Sequence, residues 1–229
     1  MMESLPNARY ERKFVVVGGG LPEVLAMVRR HPVGFIEAYL PRMVNNIYLD
    51  SPGLNSFFDH INGVSNRAKT RVRWYGDWNG SAPSPTLERK LKQGLVSGKI
   101  SHGLPAFQWN GSGVKPELSK ALQSAELPGM LREVLRDLEP SLCNRYRRHY
   151  FKSLNGKFRL TVDSDLQFGP PTSNAATTGG LPINDHALVI ELKFDPRHAA
   201  EALHIGQHLP VRLMRCSKYV LGIEKLTGG

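Results

Sequence analysis

Five short segments of the chain carry charged side chains two residues apart. They are Arg9-Tyr10-Glu11-Arg12-Lys13-Phe14, Arg71-Val72-Arg73-Trp74-Tyr75, Leu87-Glu88-Arg89-Lys90-Leu91-Lys92, Arg159-Leu160-Thr161-Val162-Asp163 and Val189-Ile190-Glu191-Leu192-Lys193-Phe194. In a strand, residues i and i+2 share a face. Each segment therefore aims its charges at one side while Phe14, Val72 and Leu192 face the other. Basic side chains predominate. Arginine offers a planar fork matched to phosphate oxygens and lysine a compact point charge, so the chemistry implied is the gripping of a multiply charged anion such as a phosphate chain. The few carboxylates, Glu11, Glu88, Asp163 and Glu191, would be repelled by phosphate unless a cation stood between. They read as ligands for Mg²⁺ or Mn²⁺, or as orienting partners for the basic residues.

Such faces cannot point into a dry core, because unpaired buried ions are too costly. One charged strand face alone is equally well a solvated exterior. Five of them, each backed by apolar residues, point to a sheet closed around a wet, charged lumen. A formal charge of +10 over 229 residues agrees with an anionic partner. Nucleic acid is the plain alternative, with Trp74, Tyr75 and Trp78 as stacking residues. Strand alternation turns Trp74 away from Arg71 and Arg73, which argues against it. The histidines show no zinc spacing, and Cys143 and Cys216 read as free thiols of a reducing compartment. No run of 18 apolar residues occurs and Met1 to Pro6 lacks a secretory pattern, so a cytoplasmic protein without a membrane segment is expected.

The elements that must carry these residues follow from pattern. Strands are expected over 9–17, 45–50, 69–75, 86–92, 144–152, 157–167 and 186–194, with a hairpin at Asn155-Gly156. Helices are expected over 21–30, 54–61, 116–142, 196–202 and 210–226. Gly18-Gly19-Gly20 lacks the Gly-Lys-Ser/Thr ending of a phosphate loop and reads as a turn. Stretches 76–85, 99–113 and 169–184 read as loops or irregular chain. The result is one α+β domain over 1–229, with a largely antiparallel sheet of about eight strands and flanking helices.

The segments Arg71-Val72-Arg73-Trp74-Tyr75-Gly76, Leu87-Glu88-Arg89-Lys90, Tyr146-Arg147-Arg148-His149-Tyr150-Phe151, Arg159 to Asp163, Ile190-Glu191-Leu192-Lys193 and Ser217-Lys218-Tyr219 resemble, in order and spacing, the polyphosphate polymerase domain of the vacuolar transporter chaperone (VTC) family. That family is part of the triphosphate tunnel metalloenzyme (CYTH-like) superfamily. The resemblance implies an eight-stranded antiparallel barrel that binds ATP with Mn²⁺ or Mg²⁺ and transfers its terminal phosphoryl group to phosphate or polyphosphate. On this resemblance Lys13 would contact the reacting phosphates. Arg71, Arg73, Lys90, Arg148 and Arg159 would line the bore, and Glu191 would hold the metal. Arg215 and Lys218 would reach the phosphate chain at one mouth, with Glu11, Glu88, Lys92 and Lys193 as further substrate-binding residues. One departure stands out. The superfamily often opens with Glu-x-Glu-x-Lys, whereas this chain has Arg9-x-Glu11-x-Lys13. The missing carboxylate weighs against a two-metal hydrolase. A triphosphatase using Glu11 or Glu88 to orient water, and a non-catalytic polyphosphate- or nucleotide-binding module, are the alternatives.

Overall fold

The structure is a computed structural model describing residues 9–78, 80–94, 96–108, 113–171, 181–209, 211, 213–214 and 216–228. The elements run β1 (Tyr10–Val16), α1 (Leu21–Arg29), β2 (Phe35–Asp50), α2 (Asn55–Ile61), β3 (Asn66–Tyr75), β4 (Ser81–Ala82), β5 (Thr86–Gln93), β6 (Val96–Gly103) and β7 (Phe107–Gln108). They continue with α3 (Lys115–Ser124), α4 (Gly129–Arg136), β8 (Glu139–Ser153), β9 (Phe158–Gly169), β10 (Ile183–Asp185), β11 (Leu188–Phe194), α5 (Ala199–Gln207) and α6 (Lys218–Thr227).

One antiparallel sheet dominates, in the order β1-β11-β9-β8-β2-β3-β5-β6, with β10 added beside β9. The expected eight-stranded path is present, but the expected closed barrel is not. The edge strands β1 and β6 meet at a single bridge, where the Arg9 amide donates to the Ser97 carbonyl at 3.2 Å and the Ser97 amide donates back at 3.4 Å. The pairing stops there for a structural reason. Farther along β1, Phe14 bridges Leu213 and the Met214 amide donates to the Lys13 carbonyl at 2.9 Å. β6 itself begins at Val96, so the antiparallel register carries the rest of β1 past its end, and the C-terminal segment takes that edge.

The sheet's apolar outer face is covered in two patches. Over β1, β11, β9 and the end of β8, residues Phe14, Ile190, Leu192, Leu160 and Phe151 pack beneath Val24 and Val28 of α1 and Ala202 and Ile205 of α5. Over β2, β3 and β5, residues Ile47, Val72, Trp74 and Leu87 pack beneath Leu118 and Ala121 of α3 and Leu131 of α4. Trp74 is therefore core, as strand alternation requires. A third cluster lies on the inner side, where Tyr219 and Ile223 of α6 meet Val44, Tyr48, Leu142, Tyr146 and Phe168. The approach is close: a Cβ at Gly222 would stand 2.5 Å from a Leu142 methyl and 2.6 Å from the Phe168 ring.

Several boundaries differ from the sequence expectation. The long helix expected over 116–142 is two helices, because Pro128 cannot donate an amide and favours an extended residue before it, and strand β8 already begins at Glu139. Strand β2 begins ten residues earlier than expected, its alternation obscured by register shifts between Glu37 and Tyr39 and between Tyr39 and Arg42. Part of the stretch read as irregular, 99–113, belongs to β6 and β7. Among the described residues the expected helix 210–226 is helical only from Lys218, capped by the Ser217 side chain. Gly18 at φ 80° ends β1 in a turn, as expected.

Candidate active site

Strand register fixes which charges share the inner wall. Glu11 lies opposite Lys193, and Lys13 opposite Glu191, across β1 and β11. Glu191 pairs with Thr161 and Lys193 with Arg159 across β11 and β9, and Asp163 pairs with Arg148 across β9 and β8. On the other side of the path, Arg71 lies opposite Glu88, Lys69 opposite Lys90 and Arg67 opposite Lys92. All these side chains alternate with residues of the two outer cores, so they face the concave side.

Two groups of ion pairs organise the wall. In the first, Arg148 makes a bidentate pair with Asp163, Nε to Oδ1 at 2.6 Å and Nη2 to Oδ2 at 2.7 Å. Lys218 Nζ, delivered by the first residue of α6, meets the same carboxylate at 2.6 Å. Asp163 is fully buried. Burial alone would raise its pKa, but Arg148 and Lys218 bring it down to about 2. Glu191 adjoins this group, 3.6 Å from Arg148 and 3.4 Å from Lys193. Against its burial, Lys193, Lys13, Lys90 and Arg148 hold it well below the usual carboxylate range.

In the second group, Glu88 accepts from Arg71 Nη2 at 2.6 Å and Nε at 2.8 Å, and pairs with Lys99 at 2.6 Å and Arg73 at 3.5 Å. Despite burial, these cations hold its pKa far down, Arg71 most strongly. Arg73 is further fixed by Asn46 Oδ1 at 3.1 Å and the Tyr146 hydroxyl at 3.3 Å.

Between the two groups stand the lysines. Lys13 donates to the Cys216 carbonyl at 3.2 Å. Burial opposes its charge, but Glu191 and Glu11 raise its pKa above the ordinary lysine value. Lys90 pairs with Glu11, yet burial and Lys13 pull its pKa down to about 8. Lys69 donates to Ser217 Oγ at 2.6 Å.

Of the residues singled out from sequence, Glu11, Lys13, Arg71, Arg73, Glu88, Lys90, Arg148, Glu191, Lys193 and Lys218 are brought together by these pairings. Lys92 follows Lys90 by alternation on β5. Arg159 is exposed and lies at the rim, lining a cleft with Arg9, Lys157, Lys193 and Asp195. Arg215 lies outside the described residues. Sequence reasoning missed Lys69, although it sits two residues before Arg71 on the same alternation. It also missed Lys99, hidden in a Gly- and Ser-containing stretch read as irregular.

Among the described residues no three His, Cys, Asp or Glu side chains come together to hold a metal ion. Mg²⁺ at phosphate sites usually needs only one or two carboxylates, the remaining ligands being waters and phosphate oxygens. Glu191 and Glu11, on adjacent strands and diagonal across the Lys13–Glu191 and Glu11–Lys193 pairs, fit that simpler donor set.

A family model, the VTC domain, matches residues 8–227. No curated protein matches the sequence. Solved structures share the fold at low identity. An adenylate cyclase-like protein from Vibrio parahaemolyticus is 12% identical with a TM-score of 0.54, covering 93% of this chain and 98% of its own. An adenylyl cyclase-like protein from Hippeastrum, described as having a dominant triphosphatase activity, is 12% identical with a TM-score of 0.52, covering 95% of each chain. The PH1819 protein of Pyrococcus horikoshii OT3 is 13% identical with a TM-score of 0.50, covering 95% of this chain and 98% of its own. These structures share the fold, and with a family match along nearly its whole length the chain belongs to the VTC domain family.

Proposed function

We propose that this protein is a metal-dependent polyphosphate polymerase, transferring the terminal phosphoryl group of ATP to the end of a phosphate or polyphosphate chain held in the bore. The observation that carries this reading is the state of the inward carboxylates. Glu11, Glu88, Asp163 and Glu191 each have at least one cation partner. Glu88, Asp163 and Glu191 are held below their ordinary pKa values. Carboxylates so stabilised are weak bases, poorly suited to activating water. A phosphate acceptor is already an anion and needs no base, so alignment and charge neutralisation suffice.

In this reading Arg71, Arg73 and Arg148, locked by their carboxylates, present their remaining N–H groups to phosphate oxygens. Lys13 and Lys90 offset charge on the transferring group. Arg159 and Lys193 guide the chain at the rim, and Lys92 adds to the basic lining. Glu191, with Glu11, would hold a divalent ion that neutralises and orients the nucleotide phosphates. No helix is long and apolar enough to cross a membrane among the described residues.

Incubation with ATP and Mn²⁺ tests the proposal: long-chain polymer supports it, and release of orthophosphate alone overturns it. A triphosphatase is the second reading. It is favoured by Glu11, whose one ion-pair partner among the described residues is Lys90 and whose side chain keeps some exposure, leaving it the carboxylate best able to meet a water molecule.

A further inference from the structure

Lys69 meets the protein through neutral side chains. Among the described residues no carboxylate forms an ion pair with it. Its Nζ instead contacts His60 Nδ1 of α2 at 3.0 Å and Ser217 Oγ, the N-cap of α6, at 2.6 Å. When Lys69 is an ammonium, His60 Nδ1 accepts from it and the ring proton lies on Nε2. Ser217 Oγ also accepts from the Val220 amide, so it is occupied as an acceptor. The ammonium therefore spends two hydrogens on His60 and Ser217 and keeps a third to donate.

Every neighbouring element bears on this nitrogen. Lys13 on β1, Lys90 on β5 and Arg67 on β3 repel its charge, and Asp50 on β2 opposes them weakly. The face of Tyr219 on α6 lies 5.8 Å away. Burial and these cations lower the pKa of Lys69 to about 6. Burial, followed by Lys69 and Arg67, takes His60 down to about 3. At neutral pH in an empty bore the pair is therefore mostly uncharged. A phosphate anion entering among Lys13, Lys69 and Lys90 reverses the balance, because it favours the ammonium.

We propose that Lys69 is an additional phosphate-contacting residue of this bore, poised by His60 and Ser217 to take up a proton as the anion binds. The inference rests on the reading of the bore as a phosphate site and adds to it that binding is coupled to protonation at a named nitrogen. The direction follows directly. Uptake is absent below the free pKa, where Lys69 is already charged, and absent again at high pH, where even the bound form stays neutral. It is greatest between these limits.

The test is calorimetric titration of the full chain with sodium tripolyphosphate, without metal, near neutral pH in buffers of different ionisation enthalpy. Wild type is expected to take up close to one proton. Lys69→Met should take up much less and bind about 10- to 100-fold more weakly, the loss of one hydrogen bond to a charged group. Lys69→Arg is always charged. It should retain binding while losing the uptake, a separation that a purely structural role would not produce. Unchanged proton uptake in Lys69→Arg overturns the proposal while leaving the phosphate site intact. Failure of wild type to bind tripolyphosphate at all overturns the phosphate site itself, and this inference with it.

Discussion

The inner wall has two kinds of positive region, and they differ in what completes them. Around Asp163 and Glu88, Arg148, Arg71 and Lys218 are matched by buried carboxylates at 2.6–2.8 Å, and both guanidiniums are fixed before any ligand arrives. Around Lys13, Lys69 and Lys90 the cations outnumber their partners, and the pKa values of Lys69 and Lys90 fall to about 6 and about 8. The first region is finished by folding. On the proposed function, the second is finished by an anion. Buried ion pairs contribute less to stability than their contact count suggests, because desolvation offsets attraction. The matched region is accordingly better read as a device for holding arginines in register, and the lysine region as the part that gains on binding.

Asp163→Asn offers the strongest test of that contrast. It would leave Arg148 and Lys218 buried without their carboxylate, an expected loss of about 3–5 kcal/mol in urea unfolding. A loss below about 1 kcal/mol would show that the matched region is not a folding scaffold. Lys13→Met probes the other region. It relieves repulsion on Lys69 and Lys90 while removing the attraction to Glu191 and Glu11, so unfolding should change less than in Asp163→Asn, yet polymer synthesis should fall by about 10²–10³-fold. Comparable losses of stability in the two variants would erase the distinction.

Acid sharpens the contrast next. The folded-state pKa of Asp163, about 2, lies below its ordinary value of 3.8. Its contribution is therefore complete above pH 4 and lost as pH falls through about 2, a change of roughly 2 kcal/mol. Denaturant melts across that interval should show the loss, and Asp163→Asn should flatten it. Gly222→Ala is smaller in chemical change but strikes packed atoms on two sides, so a cost of about 1–3 kcal/mol is expected despite alanine's better helix propensity. Arg136→Ala, which removes the exposed pair with Glu133 on α4, should change unfolding by no more than about 1 kcal/mol.

Most of this arrangement was legible because strand alternation is blunt: Lys13, Arg71, Arg73, Glu88, Lys90 and Glu191 could share a face only if Phe14, Val72, Trp74 and Leu87 took the other. What escaped was set by tertiary contact. The early half of β2 carries register shifts that erase its period. Lys99 belongs to a strand containing Gly98, and Pro128 divides a run whose leucine spacing reads as one helix. Leu213 and Met214 continue a helical pattern on paper but are held along β1 by the bridge to Phe14 and the Met214 amide's bond to the Lys13 carbonyl. Lys69 was visible as a residue, but its company was not, since His60 and Ser217 reach it from distant parts of the chain.

The edge of β1 is met at one end by Ser97 and at the other by Leu213 and Met214. Three residues beyond that second stitch, Ser217 and Lys218 reach Lys69 and Asp163. The same stretch of chain therefore laces the wall and furnishes its interior. Loosening the lace would disturb the seat for the anion in the same stroke, so girth and grip are mechanically one property of this protein.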